Sequence, residues 1–181
     1  IKTTFINTRT KGNLKGEIKL TQATSTNEIV IIEEVSETLP KGYKPGGMHC
    51  GIKRIRLDLG YIVSEVPATA AGVYTTNIFQ AAPLLVTQES IAKENKIQAI
   101  IVNSGNANAC TGEQGLLDAF AMQKSFANEL GLQEHLVAVT STGVIGEVLP
   151  MDKVLTGIKQ ILNKENQDEN YFKKAILTTD T

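Results

Sequence analysis

Two consecutive segments near the middle of the chain, one apolar and one rich in asparagine and glycine, set the first constraint on the fold. Residues 97–102 (IQAIIV) form a near-continuous apolar run, which is typical of a buried strand. Residues 103–112 (NSGNANACTG) follow at once, and their composition favours a loop with unusual backbone angles. A helical pattern comes next. A strand that leads through a loop into a helix is the repeating unit of α/β proteins, so we predict that fold class.

The helix after the asparagine-rich loop has recognisable ends. Thr111, with Gln114 three residues later, fits a capping box at its start. Gly131 is a typical C-terminal stop, so the helix is predicted to run to about Leu130. Helical spacing predicts one buried stripe, made of Leu116, Leu117, Phe120, Ala127 and Leu130.

Similar patterns predict the other elements. Strands are predicted at residues 29–34, 61–66, 72–76 and 136–140. Further helices are predicted at 83–94, from about Pro150, and at 171–177, with loops at 40–47 and 163–170. Residues 1–28 show little periodicity, and we interpret them as an irregular N-terminal arm. Residues 29–181 are then one α/β domain.

The composition narrows the classes of partner and location. The chain has 181 residues, of which 41% are apolar, and its net charge is -1. It carries neither the basic excess of nucleic-acid-binding proteins nor a long apolar run or signal core, so we expect neither nucleic acid nor a membrane as a partner. With only two cysteines, a cytoplasmic location fits best. The chain does not begin with methionine, and we interpret it as a piece of something longer.

The asparagine-rich segment has two interpretations. A loop between the end of a buried strand and the start of a helix is a common place for an anionic ligand, because helix N-termini present N–H groups. The same asparagines could instead satisfy backbone groups in a tight connection. The residues alone leave both interpretations open.

A second polar turn, at residues 141–146 (STGVIG), also follows a predicted strand. The hydroxyl of Thr142 and the N–H of Gly143 are two adjacent donors, which is what an oxyanion hole requires. Glycine also allows a substrate to approach the backbone closely. An ordinary turn with a helix cap explains the same residues, and the turn alone does not decide between the two.

Other reactive side chains give weak signals. His49 and Cys50 are too few for a zinc site, and no Ser-His-Asp pattern or nucleotide-binding loop is present. We interpret His135 as a surface residue and Cys110 as a small buried hydrophobe rather than a nucleophile. The hydroxyl-rich residues 178–181 (TTDT) could bind an amino acid or cap a following element.

Taken together, these motifs resemble the ornithine acetyltransferase family. The resemblance covers about residues 30–181 and does not extend to residues 1–28. The motifs that carry it occur in the same order as in the family: residues 49–53 (HCGIK), 63–68 (VSEVPA), 80–83 (QAAP), 102–114 (VNSGNANACTGEQ), 141–147 (STGVIGE), 149–151 (LPM) and 178–181 (TTDT).

The resemblance implies a layered α/β sandwich that this α chain forms jointly with a β chain, cut from the same precursor by self-processing. It implies transfer of acetyl from N2-acetylornithine to glutamate in arginine biosynthesis, through an acetyl-enzyme on the N-terminal Thr of the β chain. Thr142 and Gly143 match the family's oxyanion hole, and Thr179 matches a substrate-binding residue. An α2β2 heterotetramer without metal or resident cofactor is expected; acetyl-CoA as a further donor is left open.

Two alternatives remain beside this expectation. A related self-processing Thr aminopeptidase or amidohydrolase would use the same oxyanion chemistry but deliver the acyl group to water. A non-catalytic module would use the asparagine-rich segment and the turn at 141–146 only to hold a small molecule.

Overall fold

The computed structural model describes residues 39–178. The predicted arm at residues 1–28, the predicted strand at 29–34 and Thr179 lie outside the described residues. The four strands are β1 (Tyr43–Met48), β2 (Leu59–Thr69), β3 (Lys96–Asn106) and β4 (Val137–Val144). The four α-helices are α1 (Ala82–Glu94), α2 (Gly112–Leu130), α3 (Met151–Ile161) and α4 (Glu169–Ile176), with short 3-10 turns at Glu134–Leu136 and Lys164–Asn166.

The described strands form one sheet in the order β1-β2-β3-β4. β1 pairs with β2 and β2 with β3 in antiparallel fashion, whereas β3 and β4 are parallel. Parallel neighbours need a crossover, and α2 makes it. The predicted α/β fold class is therefore confirmed.

The hydrophobic core lies between one face of the sheet and the helices α1, α2 and α3. Fully buried side chains from both layers meet there, among them Leu59, Tyr61, Ile101, Val137, Met122, Phe126, Ile158 and Ile161. The rings of Tyr61 and Phe126 have centroids 5.9 Å apart. Each such side chain contributes about 1.5–3 kcal/mol by leaving water, so this layer dominates the stability of the fold.

Helix α4 packs against the opposite face, on a pair of glycines. Gly47 of β1 and Gly60 of β2 are partners in the sheet register. A Cβ on Gly47 would lie 2.6 Å from the Tyr171 carbonyl oxygen, and one on Gly60 would lie 3.2 Å from the Cβ of Ala175. The missing side chains therefore let the helix backbone lie directly on the sheet.

The prediction of a loop at residues 40–47 holds for residues 40–42 and is wrong from Tyr43, where β1 begins. Pro45 and the glycines suggest turns when only the sequence is considered. β1 is an edge strand of the described sheet, and there a proline costs no ladder hydrogen bond. The glycines are required by packing rather than by a turn.

The strand predicted at 61–66 is confirmed as part of β2, but the separate strand predicted at 72–76 is wrong. Instead β2 is one long strand through Thr69, and its register with β3 shifts between Val63 and Ala68, which accommodates Pro67. Residues 72–76 have no regular structure, and Val73 is fully exposed. The β-branched residues there have strand propensity but no neighbouring strand within the described residues.

The predicted C-terminal end of α2 is confirmed, whereas the predicted capping box at its start is not. Gly131 ends the helix in the left-handed conformation and Thr111 is the N-cap residue, but Thr111 makes no capping hydrogen bond, so the capping box is wrong. Its hydroxyl donates to Asn108 Oδ1 (2.8 Å) instead. The predicted stripe is wrong at Leu117 and Phe120, which are exposed, because Ala119, Met122 and Phe126 define the buried face.

The remaining predictions hold with small changes of boundary. Helices α1, α3 and α4 lie where the sequence predicts them, and the apolar face of α3 is buried at Val154, Ile158 and Ile161. The strands predicted at 97–102 and 136–140 extend to Asn106 and Val144, so parts of both predicted loops are strand. Within residues 39–178, no helix is both long and apolar enough to cross a membrane.

Candidate functional site

A cavity of about 650 Å³ opens where the parallel strands β3 and β4 end. Ligands of open α/β sheets commonly bind beyond the carboxyl ends of the strands, so this is the expected place for a site. Four separate segments supply its walls: Lys53, Arg54, Ile55, Arg56, Gly105, Thr142, Gly143, Val144 and Thr178. The structure thus places both predicted oxyanion residues on one cavity wall, next to the residue that precedes Thr179.

Gly143 has a backbone conformation that only glycine adopts readily at this place. Its φ is 137°, and a Cβ there would lie 2.3 Å from the carbonyl carbon of Gly105 and 2.6 Å from the nitrogen of Asn106. Gly105 itself has a φ of 104°. β3 and β4 therefore approach each other closely at the cavity, with no side chain between them at this pair.

Hydrogen bonds on either side of Gly143 hold β4 between α1 and β3. The Val139 N–H and carbonyl both bond the hydroxyl of Thr87 on α1, at 3.0 and 2.8 Å, away from β3. The Val144 carbonyl accepts from the Ala107 N–H (2.8 Å), toward β3. Successive strand residues direct their N–H and C=O groups to opposite edges. Gly143 and its N–H lie between Val139 and Val144, at an irregular point of the ladder where Asn106 pairs with both Thr142 and Val144.

Thr142 stands beside this N–H on the cavity wall. Its side chain is half-buried. Among residues 39–178, its hydroxyl has no hydrogen-bond partner. Thr142 and Gly143, which carry a hydroxyl and a backbone N–H as adjacent donors, both line the cavity. Such a pair can stabilise negative charge that develops on a carbonyl oxygen.

The asparagines of the asparagine-rich segment serve the backbone. Asn103, Asn106 and Asn108 are all buried. Each side-chain amide donates a hydrogen bond to a backbone carbonyl oxygen. Asn103 donates to the carbonyl of Asn106 (2.9 Å), Asn106 to that of Glu147 (3.0 Å) and Asn108 to that of Gly115 (2.9 Å). Of the two interpretations left open, the structure supports the tight connection. Asn106 also links the ends of β3 and β4 beside the cavity.

The loop between β1 and β2 is held by a buried carboxylate. Asp58 is completely buried and accepts hydrogen bonds from the backbone N–H groups of Cys50 (2.6 Å), Lys53 (2.8 Å) and Gly51 (3.1 Å). His49 Nδ1 lies 3.2 Å from the same carboxylate. Bonds from several N–H groups to one ionised carboxylate are strong, so this loop has a defined shape.

This loop brings three cationic side chains to the cavity, which sequence reasoning missed. Lys53, Arg54 and Arg56 all line it, and none of its lining residues is acidic. The available signal was the segment KRIR in a chain of nearly balanced charge, followed by a single Asp. The cavity wall is therefore electropositive and suits a ligand that carries a carboxylate.

Lys53 is the most constrained of the three. Its ammonium donates to the carbonyls of Leu57 (3.2 Å) and Leu177. Burial lowers the pKa of Lys53; the neighbouring Asp58 carboxylate opposes that shift and the Arg56 charge adds to it. The lysine thus ties the β1–β2 loop to the residue after α4.

The cysteines and histidines have different environments from those predicted. Cys110 is exposed, with a φ of 57°, so its interpretation as a buried hydrophobe is wrong. The His135 side chain is only 13% exposed and lies 3.1 Å from Glu94, so it is not a surface residue. Burial, reinforced by Asp58, raises the pKa of Cys50 to about 12, which keeps this thiol protonated and unreactive. Residues 39–178 contain no cluster of three or more side chains suited to a metal.

Comparison with known proteins gives a consistent result. The profile of the ArgJ family matches residues 44–181. The arginine biosynthesis bifunctional protein ArgJ of Oceanobacillus iheyensis is 56% identical over 160 residues, which cover 88% of this chain and 39% of that relative. The chain therefore spans well under half of the length of this relative.

Two solved structures are similar as well. The crystal structure of the arginine biosynthesis bifunctional protein ArgJ from Bacillus halodurans is 58% identical, with a TM-score of 0.72 over 78% of this chain and 74% of that one. The ornithine acetyltransferase of Mycobacterium tuberculosis, solved with ornithine, is 38% identical, with a TM-score of 0.72 over 78% of each chain.

Proposed function

This chain belongs to the ArgJ family, and on that premise we propose that it is the α part of a glutamate N-acetyltransferase of arginine biosynthesis. Its substrates are N2-acetylornithine as acetyl donor and glutamate as acceptor. The observation that carries the proposal is the pair of donors at Thr142 and Gly143, side by side on the wall of an electropositive cavity.

The nucleophile in this proposal is the N-terminal Thr of a β chain, whose own α-amine acts as the base. The Thr hydroxyl adds to the acetyl carbonyl of N2-acetylornithine, and the new oxyanion accepts bonds from the Thr142 hydroxyl and the Gly143 N–H. When the C–N bond breaks, the ornithine amine leaves with a proton and an acetyl ester remains on the Thr. The glutamate amine then attacks that ester through a second oxyanion at the same donors. The C–O bond to the Thr breaks, the Thr oxygen takes up the proton that the amine loses, and N-acetylglutamate leaves.

The side chains of residues 39–178 include no suitable nucleophile, which supports a nucleophile that lies outside this range. Cys50 is held protonated, and Ser104 is buried with its hydroxyl bonded to the carbonyl of Ala175. His49 and His135 each lie beside a carboxylate and near no hydroxyl nucleophile in the hydrogen bonds of residues 39–178. Within that range, the chain offers donors for the oxyanion but no nucleophile with its base.

The proposal assigns a substrate contact to Thr179, which follows the cavity residue Thr178 in the chain. It uses no metal and no resident cofactor. Acetyl-CoA is a second acetyl donor that the same two donors would serve, because the reacting carbonyl is again an acetyl group.

A β chain from the same precursor completes the enzyme in this proposal, as an α2β2 heterotetramer in the cytoplasm. Support for a covering partner comes from large apolar side chains that are well exposed in the described residues: Val73, Ile78, Phe79, Leu117 and Ile145. Support for a reducing compartment comes from the two cysteines, both unpaired.

The test uses the complete protein. We expect two polypeptides, the second beginning with Thr, and after incubation with N2-acetylornithine we expect the mass of one acetyl group on that Thr. Glutamate should then remove the acetyl group and yield N-acetylglutamate. Release of free acetate with no transfer to glutamate would instead indicate the related hydrolase, and failure of any acetyl group to attach would indicate a binding module.

A further inference from the structure

Helix α4 ends at the wall of the cavity, and two side chains from elsewhere bind its last carbonyl groups. The final carbonyls of any α-helix lack partners within the helix. Here the Ser104 hydroxyl donates to the Ala175 carbonyl, and the Lys53 ammonium donates to the Leu177 carbonyl. The next residue, Thr178, lines the cavity. The chain therefore leaves the helix at a place fixed by these two contacts.

The backbones of both capping residues are held by Asp58. Its carboxylate accepts from the Lys53 N–H (2.8 Å), and its backbone carbonyl accepts from the Ser104 N–H (2.8 Å). Asp58 is completely buried and lies just before β2. One residue therefore fixes the backbone positions from which both capping side chains extend.

A lysine suits this position for two reasons. A cation near the C-terminus of a helix is stabilised by the partial negative charge of the carbonyls there. The ammonium has three donors, and the carbonyls of Leu57 and Leu177 occupy two of them. Lys53 is thus directed mainly at the backbone, although it also lines the cavity.

We propose that Lys53 and Ser104 are positioning residues, which Asp58 aligns and which hold the end of α4 so that Thr178 meets the substrate. Ser104 is the β3 partner of Thr142, but the hydroxyl of Ser104 and the ammonium of Lys53 bond backbone carbonyls elsewhere, so their effect is on substrate affinity rather than on the chemical step. This inference rests on the proposed acetyl transfer and extends it, since the resemblance of the sequence to its family identified neither residue as part of the site.

The test is a double-mutant cycle in the complete protein, with Lys53→Met, Ser104→Ala and the pair. Each single substitution should raise KM for N2-acetylornithine about threefold to tenfold, the range that corresponds to one lost hydrogen bond, with kcat little changed. The double variant should raise KM by less than the product of the two, because both act on the same segment. Lys53→Arg should restore part of the loss.

Ser90→Ala is the matched control. Ser90 is also a buried serine whose hydroxyl donates to a helix carbonyl, that of Val86 (2.9 Å), but it lies in α1 and does not line the cavity. It should leave KM unchanged. If Lys53→Met raises KM while Ser104→Ala behaves like Ser90→Ala, or if the two effects multiply, the proposal is overturned and Lys53 contacts the substrate directly.

A second measurement needs no activity. Hydrogen exchange of the peptide that covers residues 170–181 should be faster in Lys53→Met than in the unaltered protein without substrate. Unchanged exchange would contradict the positioning role even if Ser104→Ala fails to fold. Absence of acetyl transfer in the unaltered protein would refute the proposed function instead, and the exchange result would still decide the role of Lys53.

Discussion

Gly105 and Gly143 are partners in the parallel β3–β4 pair, and a methyl group on Gly143 would lie 2.3 Å from the carbonyl carbon of Gly105. Carbon atoms of real side chains do not approach the backbone so closely. The glycine therefore lets two strands meet at the cavity, whose wall it lines.

Gly143→Ala should accordingly damage both fold and activity. The residue would clash with Gly105 in a backbone conformation that alanine disfavours, at a cost of about 1–3 kcal/mol for the backbone strain alone. We expect a lower melting temperature and loss of most acetyl transfer. Gly146→Ala is the control, because Gly146 also has a positive φ (87°) but a Cβ added to it would meet nothing within 4 Å. Equal loss of activity in both variants would contradict the role of the close contact.

The sequence predicts Thr142 and Gly143 as candidate site residues, because their residue types carry the chemistry locally. A hydroxyl beside a glycine after a predicted strand already suggests paired donors, and a resemblance to a family selects that interpretation. The helices are predictable for a similar reason, since their periodicity and end signals lie within a few residues of each other.

Features that depend on distant contacts are not predictable in this way. Gly46 and Gly47 of β1 suggest a loop in the sequence, because the neighbours that leave no room for their side chains, Tyr61 for Gly46 and Tyr171 of α4 for Gly47, are distant along the chain. Helical spacing assigns Leu117 and Phe120 to the wrong face, because several faces of α2 carry apolar residues and only the neighbouring sheet selects one. The role of Arg54 and Arg56 depends on a loop whose shape Asp58 sets across the start of β2.

Asp58→Asn should loosen the β1–β2 loop. The substitution keeps the shape of the side chain but removes the charge that three N–H groups bind. Bonds to charged groups contribute about 1.5–3 kcal/mol each, so we expect a loss of stability of at least that size in urea denaturation. Asp152→Asn, at an exposed carboxylate in the first turn of α3, should cost little. Similar losses for both variants would refute the clamping role of Asp58.

The thiol of Cys50 should resist alkylation and make stability depend on alkaline pH. Its pKa is raised to about 12 in the folded protein, whereas an unfolded cysteine loses its proton near pH 9. The unfolded state therefore gains a charge first, and the free energy of unfolding should fall as pH rises from about 9 toward 12. Cys50→Ala should flatten that part of the pH profile. Rapid labelling of Cys50 by iodoacetamide at neutral pH, before unfolding, would show that the thiol is not held protonated.

The electropositive wall should affect carboxylate-bearing substrates. We expect Arg54→Gln and Arg56→Gln each to raise KM for glutamate about twofold to fivefold at low ionic strength, and less at high salt, because exposed charges are screened. Lys44→Gln is the control, since Lys44 pairs with Glu65 (3.6 Å) and does not line the cavity. If none of the three variants changes KM for glutamate, and KM does not depend on salt, then these arginines do not contact the substrate.

The most direct measurement concerns the hydroxyl of Thr142. In the complete protein, the single-turnover rate of acetyl-enzyme formation from N2-acetylornithine should fall by about a hundredfold or more in Thr142→Ala, with substrate binding and melting temperature nearly unchanged. Thr142→Ser, which keeps the hydroxyl, should recover most of that rate. A Thr142→Ala variant that forms the acetyl-enzyme within about twofold of the unaltered rate would contradict the assignment of Thr142 to an oxyanion hole.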